Sequence, residues 1–242
     1  EVAAAETVNE VVRDLLGKAG SDPNDIEGVV AGLAGVGRES DRRNFRSLLV
    51  EKLPEGVAGS DLHVVTDAEI ALYGAVGGEE GLIVNSGTGA IVMGRDKLGN
   101  VVRADGYGYL LGDEGSGFWL GLNVIKKVLE SKDGRGRHTS LKERLIEFFD
   151  LDRVEEVVTL VYEKEKRDLV RTLAGVAPLA FEEAAKGDEV SQAIIKAGGT
   201  KLGRTAKSVI DRLDFQGKTI GIVLTGGGFN SKRRRLLLEG FE

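Results

Sequence analysis

Cysteine is absent from this chain of 242 residues, and histidine occurs only at His63 and His138. Without thiols, these residues cannot form disulfide bonds, a cysteine nucleophile or a cysteine-ligated zinc or iron–sulfur site. Two histidines are also too few for a histidine-rich zinc centre. The sequence therefore predicts no metal site that is built from protein ligands alone.

Proline is scarce as well, with three residues, and no hydrophobic run approaches the ~20 residues that a transmembrane helix needs. The chain opens on the acidic sequence Glu-Val-Ala-Ala-Ala-Glu and shows no signal peptide. The net charge is −6, which disfavours nucleic-acid binding as the main task. We therefore expect a cytoplasmic protein that binds neither membranes nor nucleic acid.

Glycine, in contrast, is abundant, with 35 residues that cluster at turns between apolar runs. Amphipathic helical patterns alternate with short apolar strands, which predicts parallel strand pairing and an α/β fold. The sequence Gly77-Gly78-Glu79-Glu80-Gly81 is the best boundary between two lobes, so we expect domains at residues 1–77 and 78–242. Predicted helices lie at 2–19, 40–53, 68–76, 114–131, 141–149, 153–164, 167–186 and 189–213, and predicted strands at 26–34, 62–66, 82–85, 89–95, 99–104 and 219–224.

The most informative segment is a glycine turn between two apolar runs, Asn85-Ser86-Gly87-Thr88-Gly89. It predicts a strand, a tight turn and a returning strand. Glycine has no Cβ and allows positive φ, so backbone N–H groups in such a turn can converge on one spot. Together with the Thr88 hydroxyl, these donors predict an anion site, above all one for phosphate.

A carboxylate surrounded by glycines follows 24 residues after Gly89, at Asp113 in Gly112-Asp113-Glu114-Gly115-Ser116-Gly117. Its position before an amphipathic helix suits a ligand that carries hydroxyl groups. Asp113 and Glu114 could instead only stabilise the positive end of the helix dipole. The phosphate turn and the carboxylate together predict phosphoryl transfer to a sugar.

Two more segments follow predicted strands. Asp67 comes directly after the strand at 62–66, where ligands gather in open α/β sheets, although it could instead be the N-cap of the next helix. Thr225-Gly226-Gly227-Gly228 ends the strand at 219–224 and begins a helix, where backbone N–H groups meet phosphate or ribose.

These motifs carry a resemblance to a known family: Thr66-Asp67-Ala68, Ser86 to Gly89, Gly106-Tyr107-Gly108, Gly112 to Gly117, and Gly226-Gly227. The chain resembles, over nearly its whole length, the N-acetylglucosamine kinase branch of the BadF/BadG family, in the superfamily of sugar kinases, actin and Hsp70. The resemblance implies two RNase-H-like (actin-like ATPase) lobes with a ligand cleft between them, the N-terminal one partial at residues 1–77. It also implies a homodimer.

The resemblance further implies a role for each motif. Asp67 would contact the sugar and act as the catalytic base that removes the proton of the attacking hydroxyl. Mg²⁺ is expected to bridge the phosphates of ATP, because hard oxygen ligands suit it and the nucleotide supplies most of them. The residues implied to bind ATP are Ser86, Gly87, Thr88, Gly89, Gly175, Gly226 and Gly227. The residues implied to line the sugar pocket are Ala90, Ile91, Gly106, Tyr107, Gly108, Gly112 and Asp113.

The chain also departs from the family pattern. The Asp-x-Gly-Gly-Thr phosphate motif that opens such kinases is absent, as are the usual closing strand and helix, so we expect a truncated chain that binds ATP poorly. Ala90 replaces a more common serine, and Asp105 and Tyr107 stand where glycine and tryptophan are frequent. These changes leave the acceptor sugar open.

The function predicted from these residues is that of an ATP-dependent kinase acting on N-acetylglucosamine or a related amino hexose. One alternative is an activator-type ATPase of the same family, which the absence of cysteine disfavours because that activator holds an iron–sulfur cluster. The other is a non-catalytic relative that binds sugar or nucleotide.

Overall fold

The computed structural model describes residues 1–230 and 234–241 and divides the chain into two compact units, Glu1–Gly74 and Ala75–Glu242. The division falls between residues 74 and 75, three residues before the boundary predicted from the glycine cluster. Each unit has its own hydrophobic core.

The N-terminal unit contains a two-stranded parallel sheet. Strand β1 (Gly28–Leu33) pairs with strand β2 (Asp61–Thr66) from Gly28 opposite Asp61 to Leu33 opposite Thr66. Parallel strands need a crossover connection, which the helices between them supply. The helices of this part of the chain are α1 (Val2–Ala19), α2 (Glu39–Lys52), α3 (Glu55–Ala58) and α4 (Asp67–Val76).

The C-terminal unit contains a four-stranded mixed sheet. Strands β3 (Gly81–Ser86), β4 (Ala90–Arg95) and β5 (Val101–Asp105) form an antiparallel meander, and β6 (Gly221–Thr225) pairs with β3 in parallel. The strand order is β5-β4-β3-β6. The apolar run Leu82–Val84 of β3 is buried without alternation, which indicates that both faces of the sheet are covered at this strand.

Helices pack around this sheet in the C-terminal unit. Leu120, Val124 and Val128 are fully buried at a spacing of four residues, which places one face of their helix in the core. The helices are α5 (Gly117–Lys132), α6 (Leu141–Phe149), α7 (Val157–Glu163), α8 (Lys166–Ala185), α9 (Glu189–Arg212), α10 (Gly227–Asn230) and α11 (Arg235–Phe241).

Several predicted elements differ from the observed ones. Helix α5 begins three residues later than predicted, because the Ser116 hydroxyl accepts a hydrogen bond from the Trp119 N–H at 3.1 Å and so caps the helix there. The prediction of a buried strand at 26–34 was wrong in length and burial, since β1 has six residues and Val30 is 61% exposed. The helix predicted to begin at Thr225-Gly226-Gly227-Gly228 is described as α10 and α11, and residues 231–233 lie outside the described residues.

No helix within residues 1–230 and 234–241 is both long enough and apolar enough to cross a membrane.

Candidate functional site

The glycine turn between β3 and β4 has two backbone donors that face no acceptor in the part of the chain that the structure describes. The strands close with Ser86 opposite Ala90, and the Gly87 N–H donates to the Gly89 carbonyl at 2.9 Å. Among the described residues, none accepts a hydrogen bond from the N–H of Thr88 or Gly89. The turn therefore offers two N–H groups and the exposed Thr88 side chain, which is the donor set predicted for an anion.

The N-terminus of α5 holds the carbonyls of this turn. The Gly117 N–H donates to the Gly87 carbonyl at 2.7 Å, and the Phe118 N–H donates to the Thr88 carbonyl at 3.2 Å. In a trans peptide the N–H points opposite to the carbonyl, so these bonds direct the Thr88 and Gly89 N–H groups away from the helix. The positive end of the α5 dipole lies behind the turn and favours a negative ligand in front of it.

Ser86 holds the turn from inside the protein. Its side chain is fully buried, and its hydroxyl donates to the Gly115 carbonyl at 2.8 Å. Gly226 packs against the same strand end with a φ of +92°, and a Cβ on Gly226 would collide with the Ser86 carbonyl. The ligand contacts predicted for Ser86 and Gly226 stay predictions, since neither residue lines the neighbouring cavity.

A cavity of about 650 Å³ opens beside the turn, within the C-terminal unit. Three of the predicted nucleotide residues line it, namely Gly87, Thr88 and Gly227. Its size is in the range of small-molecule sites. The remaining lining residues are Gly117, Leu120, Ala174, Ala177, Pro178, Phe181, Glu182 and Gly228.

Helix α8 forms one wall of the cavity, which the sequence reading missed. Ala174, Ala177, Pro178, Phe181 and Glu182 recur at the spacing of one helical face. The predicted residue of this helix, Gly175, is exposed and does not line the cavity, although its neighbour Ala174 does. This row of α8 residues was visible in the sequence, but small and apolar residues at this spacing equally predict a helix that faces the hydrophobic core.

Asp105, at the end of β5, organises the loop that leads to Asp113. Its Oδ1 accepts hydrogen bonds from the N–H groups of Gly106 and Asp113, both at 2.8 Å, and its Oδ2 accepts one from Glu114 at 3.1 Å. A Cβ on Gly112 would collide with this carboxylate, which explains the glycine there. Sequence reasoning noticed Asp105 only as a departure from a glycine. An aspartate followed by glycine after a strand was the available signal.

Asp113 lies against the other end of the glycine turn. Its Oδ1 accepts a hydrogen bond from the Ala90 N–H at 3.2 Å, and its Oδ2 is 3.0 Å from where a Cβ on Gly89 would lie. Burial raises the pKa of Asp113, the Ala90 hydrogen bond opposes that change, and the negative charge of Asp105 adds to it. Its φ of +57° is unusual for a residue with a side chain. A residue that combines an unusual backbone φ with a raised side-chain pKa is typical of functional sites.

The other predicted sugar residues differ in exposure: Ala90 is buried, Ile91, Gly106 and Gly112 are half-buried, and Tyr107 and Gly108 are exposed. Ile91 packs against Gly106, which has a φ of +74°, and Gly108 has open space around it. Tyr107 is 62% exposed, with the Arg103 guanidinium 5.4 Å from its ring centre. Tyr107 and Gly112 line a shallow depression of about 370 Å³, and none of the predicted sugar residues lines the larger cavity.

Asp67 belongs to the N-terminal unit and is exposed at the junction of β2 and α4. Thr66, and not Asp67, caps the helix: its hydroxyl accepts from the Glu69 N–H at 3.1 Å, and the Thr66 N–H donates to the Glu69 carboxylate at 2.7 Å. Arg42 fixes that carboxylate through an ion pair at 3.1 Å. Thr66 is therefore the N-cap, while the Asp67 carboxylate accepts a hydrogen bond from the Ala68 N–H at 2.9 Å in the first turn of α4. The catalytic role of Asp67 stays a prediction.

No group of three or more histidine or acidic side chains that could hold a metal ion occurs in the described part of the chain.

The model of the BadF/BadG/BcrA/BcrD ATPase family matches residues 1–238. The chain belongs to this family. It is 33% identical to the N-acetylmuramic acid/N-acetylglucosamine kinase of Clostridium acetobutylicum, over 93% of this chain and 71% of that protein. It is 32% identical to the N-acetyl-D-glucosamine kinase of Dictyostelium discoideum, over 96% of this chain and 73% of that protein.

A solved structure from Chromobacterium violaceum, provisionally named an N-acetylglucosamine kinase, superimposes with a TM-score of 0.68. It is 27% identical and covers 94% of this chain and 72% of its own. The family and the α/β actin-like ATPase fold class predicted from the sequence are confirmed.

Proposed function

We propose that the protein is an ATP-dependent kinase that transfers the γ-phosphate of ATP to a hydroxyl of N-acetylglucosamine or a related amino hexose. The observation that carries this proposal is the glycine turn, which has two N–H groups without an acceptor among the described residues and lines a cavity of about 650 Å³ with Gly87 and Thr88. The relatives from Clostridium acetobutylicum and Dictyostelium discoideum, both named as N-acetylglucosamine kinases, support the substrate class.

The phosphate-binding role belongs to the turn and to α5. Phosphoryl transfer needs positioning and charge stabilisation more than covalent chemistry. The N–H groups of Thr88 and Gly89 and the Thr88 hydroxyl would hold phosphate oxygens, and the α5 dipole would favour their charge. Mg²⁺ would take most of its ligands from the nucleotide, because it keeps water and phosphate oxygens around it.

The sugar-binding role belongs to two carboxylates. Asp113 would accept hydrogen bonds from sugar hydroxyls, with Asp105 holding its backbone in place. Asp67 would remove the proton from the attacking hydroxyl, as a carboxylate base placed at a strand end. Ala90, Ile91, Gly106, Tyr107 and Gly108 complete the proposed sugar contacts. The proposed setting is a cytoplasmic homodimer without nucleic-acid or membrane partners.

The test is a coupled ADP-release assay on the full-length gene product with ATP, Mg²⁺ and N-acetylglucosamine, glucosamine, glucose or N-acetylmannosamine. We expect ADP release that depends on an amino sugar. ADP release without any sugar dependence would replace the proposal with the activator-type ATPase. Sugar binding in calorimetry without ADP release would replace it with a non-catalytic relative.

A further inference from the structure

One charged side chain stands at the end of an otherwise apolar cavity wall. Among the described residues that line the cavity, Glu182 is the only one that carries a charge, and the other α8 contributions are Ala174, Ala177, Pro178 and Phe181. A carboxylate at the rim of an apolar slot has to be paired or solvated, because its isolated burial is costly. The Glu182 side chain is 37% exposed, so part of its carboxylate can meet a ligand that enters the cavity.

Glu182 lies at the cavity end that is remote from the phosphate turn. A Cβ on Gly117 would lie 3.5 Å from the Ala174 Cβ, and the Gly117 N–H binds the Gly87 carbonyl, so Ala174 lies at the turn. Glu182 follows Ala174 by eight residues, which is about 12 Å along an α-helix. A nucleotide whose phosphates lie at the turn therefore extends its nucleoside along the apolar wall toward Glu182.

The Glu182 carboxylate is held in place by an ion-pair network. Arg144, on α6, contacts its Oε2 at 2.7 Å and also contacts Glu147 at 3.2 Å and Glu183 at 3.6 Å. Because Arg144 also contacts the buried Glu183, it fixes Glu182 before any ligand arrives.

The inner anchor of this network is Glu183, which is only 3% exposed. It accepts hydrogen bonds from the Ser140 hydroxyl at 2.5 Å and from Lys186 at 2.7 Å. Burial would raise the pKa of Glu183, but the hydrogen bonds from Lys186 and Ser140 and the charges of Lys186 and Arg144 hold it below its ordinary value. Glu183 therefore stays ionised and keeps Arg144 in position.

We propose that Glu182, positioned by Arg144, accepts hydrogen bonds from the ribose hydroxyls of the bound nucleotide and thereby selects ribonucleotides over deoxyribonucleotides. An ionised carboxylate has about four acceptor positions, so it can bind Arg144 and a ribose at the same time. This inference rests on the proposed function only in that it places a nucleotide in the cavity. It does not depend on which sugar is phosphorylated.

The test is calorimetric titration of the full-length protein with ADP, 2′-deoxy-ADP and inosine diphosphate, with no sugar present. We expect the wild type to bind ADP about 10- to 100-fold more tightly than 2′-deoxy-ADP, the usual effect of one hydrogen bond to a charged group. Glu182→Gln should bring the two Kd values close together and leave the ratio of ADP to inosine diphosphate unchanged. Arg144→Ala should reduce the same preference by a smaller factor.

Glu147→Gln is the matched control, because Glu147 also pairs with Arg144 but does not line the cavity. It should keep the wild-type preference for ADP. The proposal is overturned by equal wild-type affinities for ADP and 2′-deoxy-ADP, by an unchanged preference in Glu182→Gln, or by absence of nucleotide binding. A Glu182→Gln effect confined to inosine diphosphate would overturn it as well, because the carboxylate would then recognise the base.

Because the nucleotide titration contains no sugar, its outcome is independent of the ADP-release assay that tests the proposed function. A protein that binds nucleotides with the expected preference but phosphorylates no sugar would retain this inference and lose the kinase assignment.

Discussion

Replacing Asp105 by alanine should damage sugar binding without a direct contact to the sugar. The carboxylate accepts three backbone hydrogen bonds, from Gly106, Asp113 and Glu114, so the replacement leaves three N–H groups without their acceptor. Hydrogen bonds to a charged group each contribute about 1.5–3 kcal/mol, and partial exposure of the loop lets water replace some of this. We therefore expect a loss of about 2–4 kcal/mol in the ordering of residues 106–114.

The expected readout is a loss of sugar affinity that is much larger than the loss of nucleotide affinity. Asp113 would lose the bond that fixes its backbone N–H, while the glycine turn would keep its bonds to α5. A loss of 2–4 kcal/mol, if transferred entirely to sugar binding, corresponds to about 30- to 1,000-fold in Kd. Calorimetry with N-acetylglucosamine and with ADP measures both affinities on the same sample.

Asp96→Ala is the control for general destabilisation. Asp96 organises the β4–β5 hairpin in the same manner, since its carboxylate accepts hydrogen bonds from the N–H and side-chain amide of Asn100. It should lower the thermal unfolding temperature without changing sugar affinity. Equal sugar affinities for Asp105→Ala and the wild type would refute the assignment of Asp105 as the residue that positions Asp113.

Three other substitutions test separate parts of the site. Asp67→Asn should abolish sugar phosphorylation in the ADP-release assay while sparing sugar binding in calorimetry, because the amide keeps the shape and loses the basicity; retained turnover would remove Asp67 from the mechanism. Gly226→Ala should destabilise the protein by more than about 1 kcal/mol in urea unfolding, since it requires positive φ and collides with the Ser86 carbonyl; Gly217→Ala, with positive φ but open space around it, should cost less. For Asp113, the raised folded pKa means that the folded state binds more protons than the unfolded state between the ordinary and the raised pKa, so this carboxyl lowers stability as pH rises through that window. Asp113→Asn should therefore gain stability relative to the wild type as pH rises through that window in urea titrations, and a constant difference across the window would contradict the raised pKa.

The glycine turn was predictable because its signal is local. Two apolar runs separated by Ser86-Gly87-Thr88-Gly89 specify a hairpin through neighbouring residues alone, and the structure forms it with the expected unpartnered donors. The predicted start of α5 was early because acidic residues such as Glu114 suit a first helical turn, whereas the Ser116 cap decides the start.

The role of Asp105 was not predictable in the same way. Two of its three partners, Asp113 and Glu114, lie eight and nine residues along the chain, and a loop conformation has to exist before those N–H groups converge. The α8 wall posed a different problem, since Ala177 and Phe181 face a cavity at the same spacing that would bury them in a core. The Thr66 cap, in contrast, was visible in the sequence, because Thr66-Asp67-Ala68-Glu69 matches the capping-box pattern, and sequence reasoning considered only Asp67 as the cap.

The short segment from Asp113 to Gly117 is bonded to the glycine turn at three points. Asp113 accepts from Ala90, the Gly115 carbonyl accepts from Ser86, and the Gly117 N–H donates to Gly87. A ligand that shifts either segment must shift the other. The affinities for the phosphate-bearing and the hydroxyl-bearing ligand are then linked, and by thermodynamic reciprocity each ligand changes the affinity for the other by the same factor.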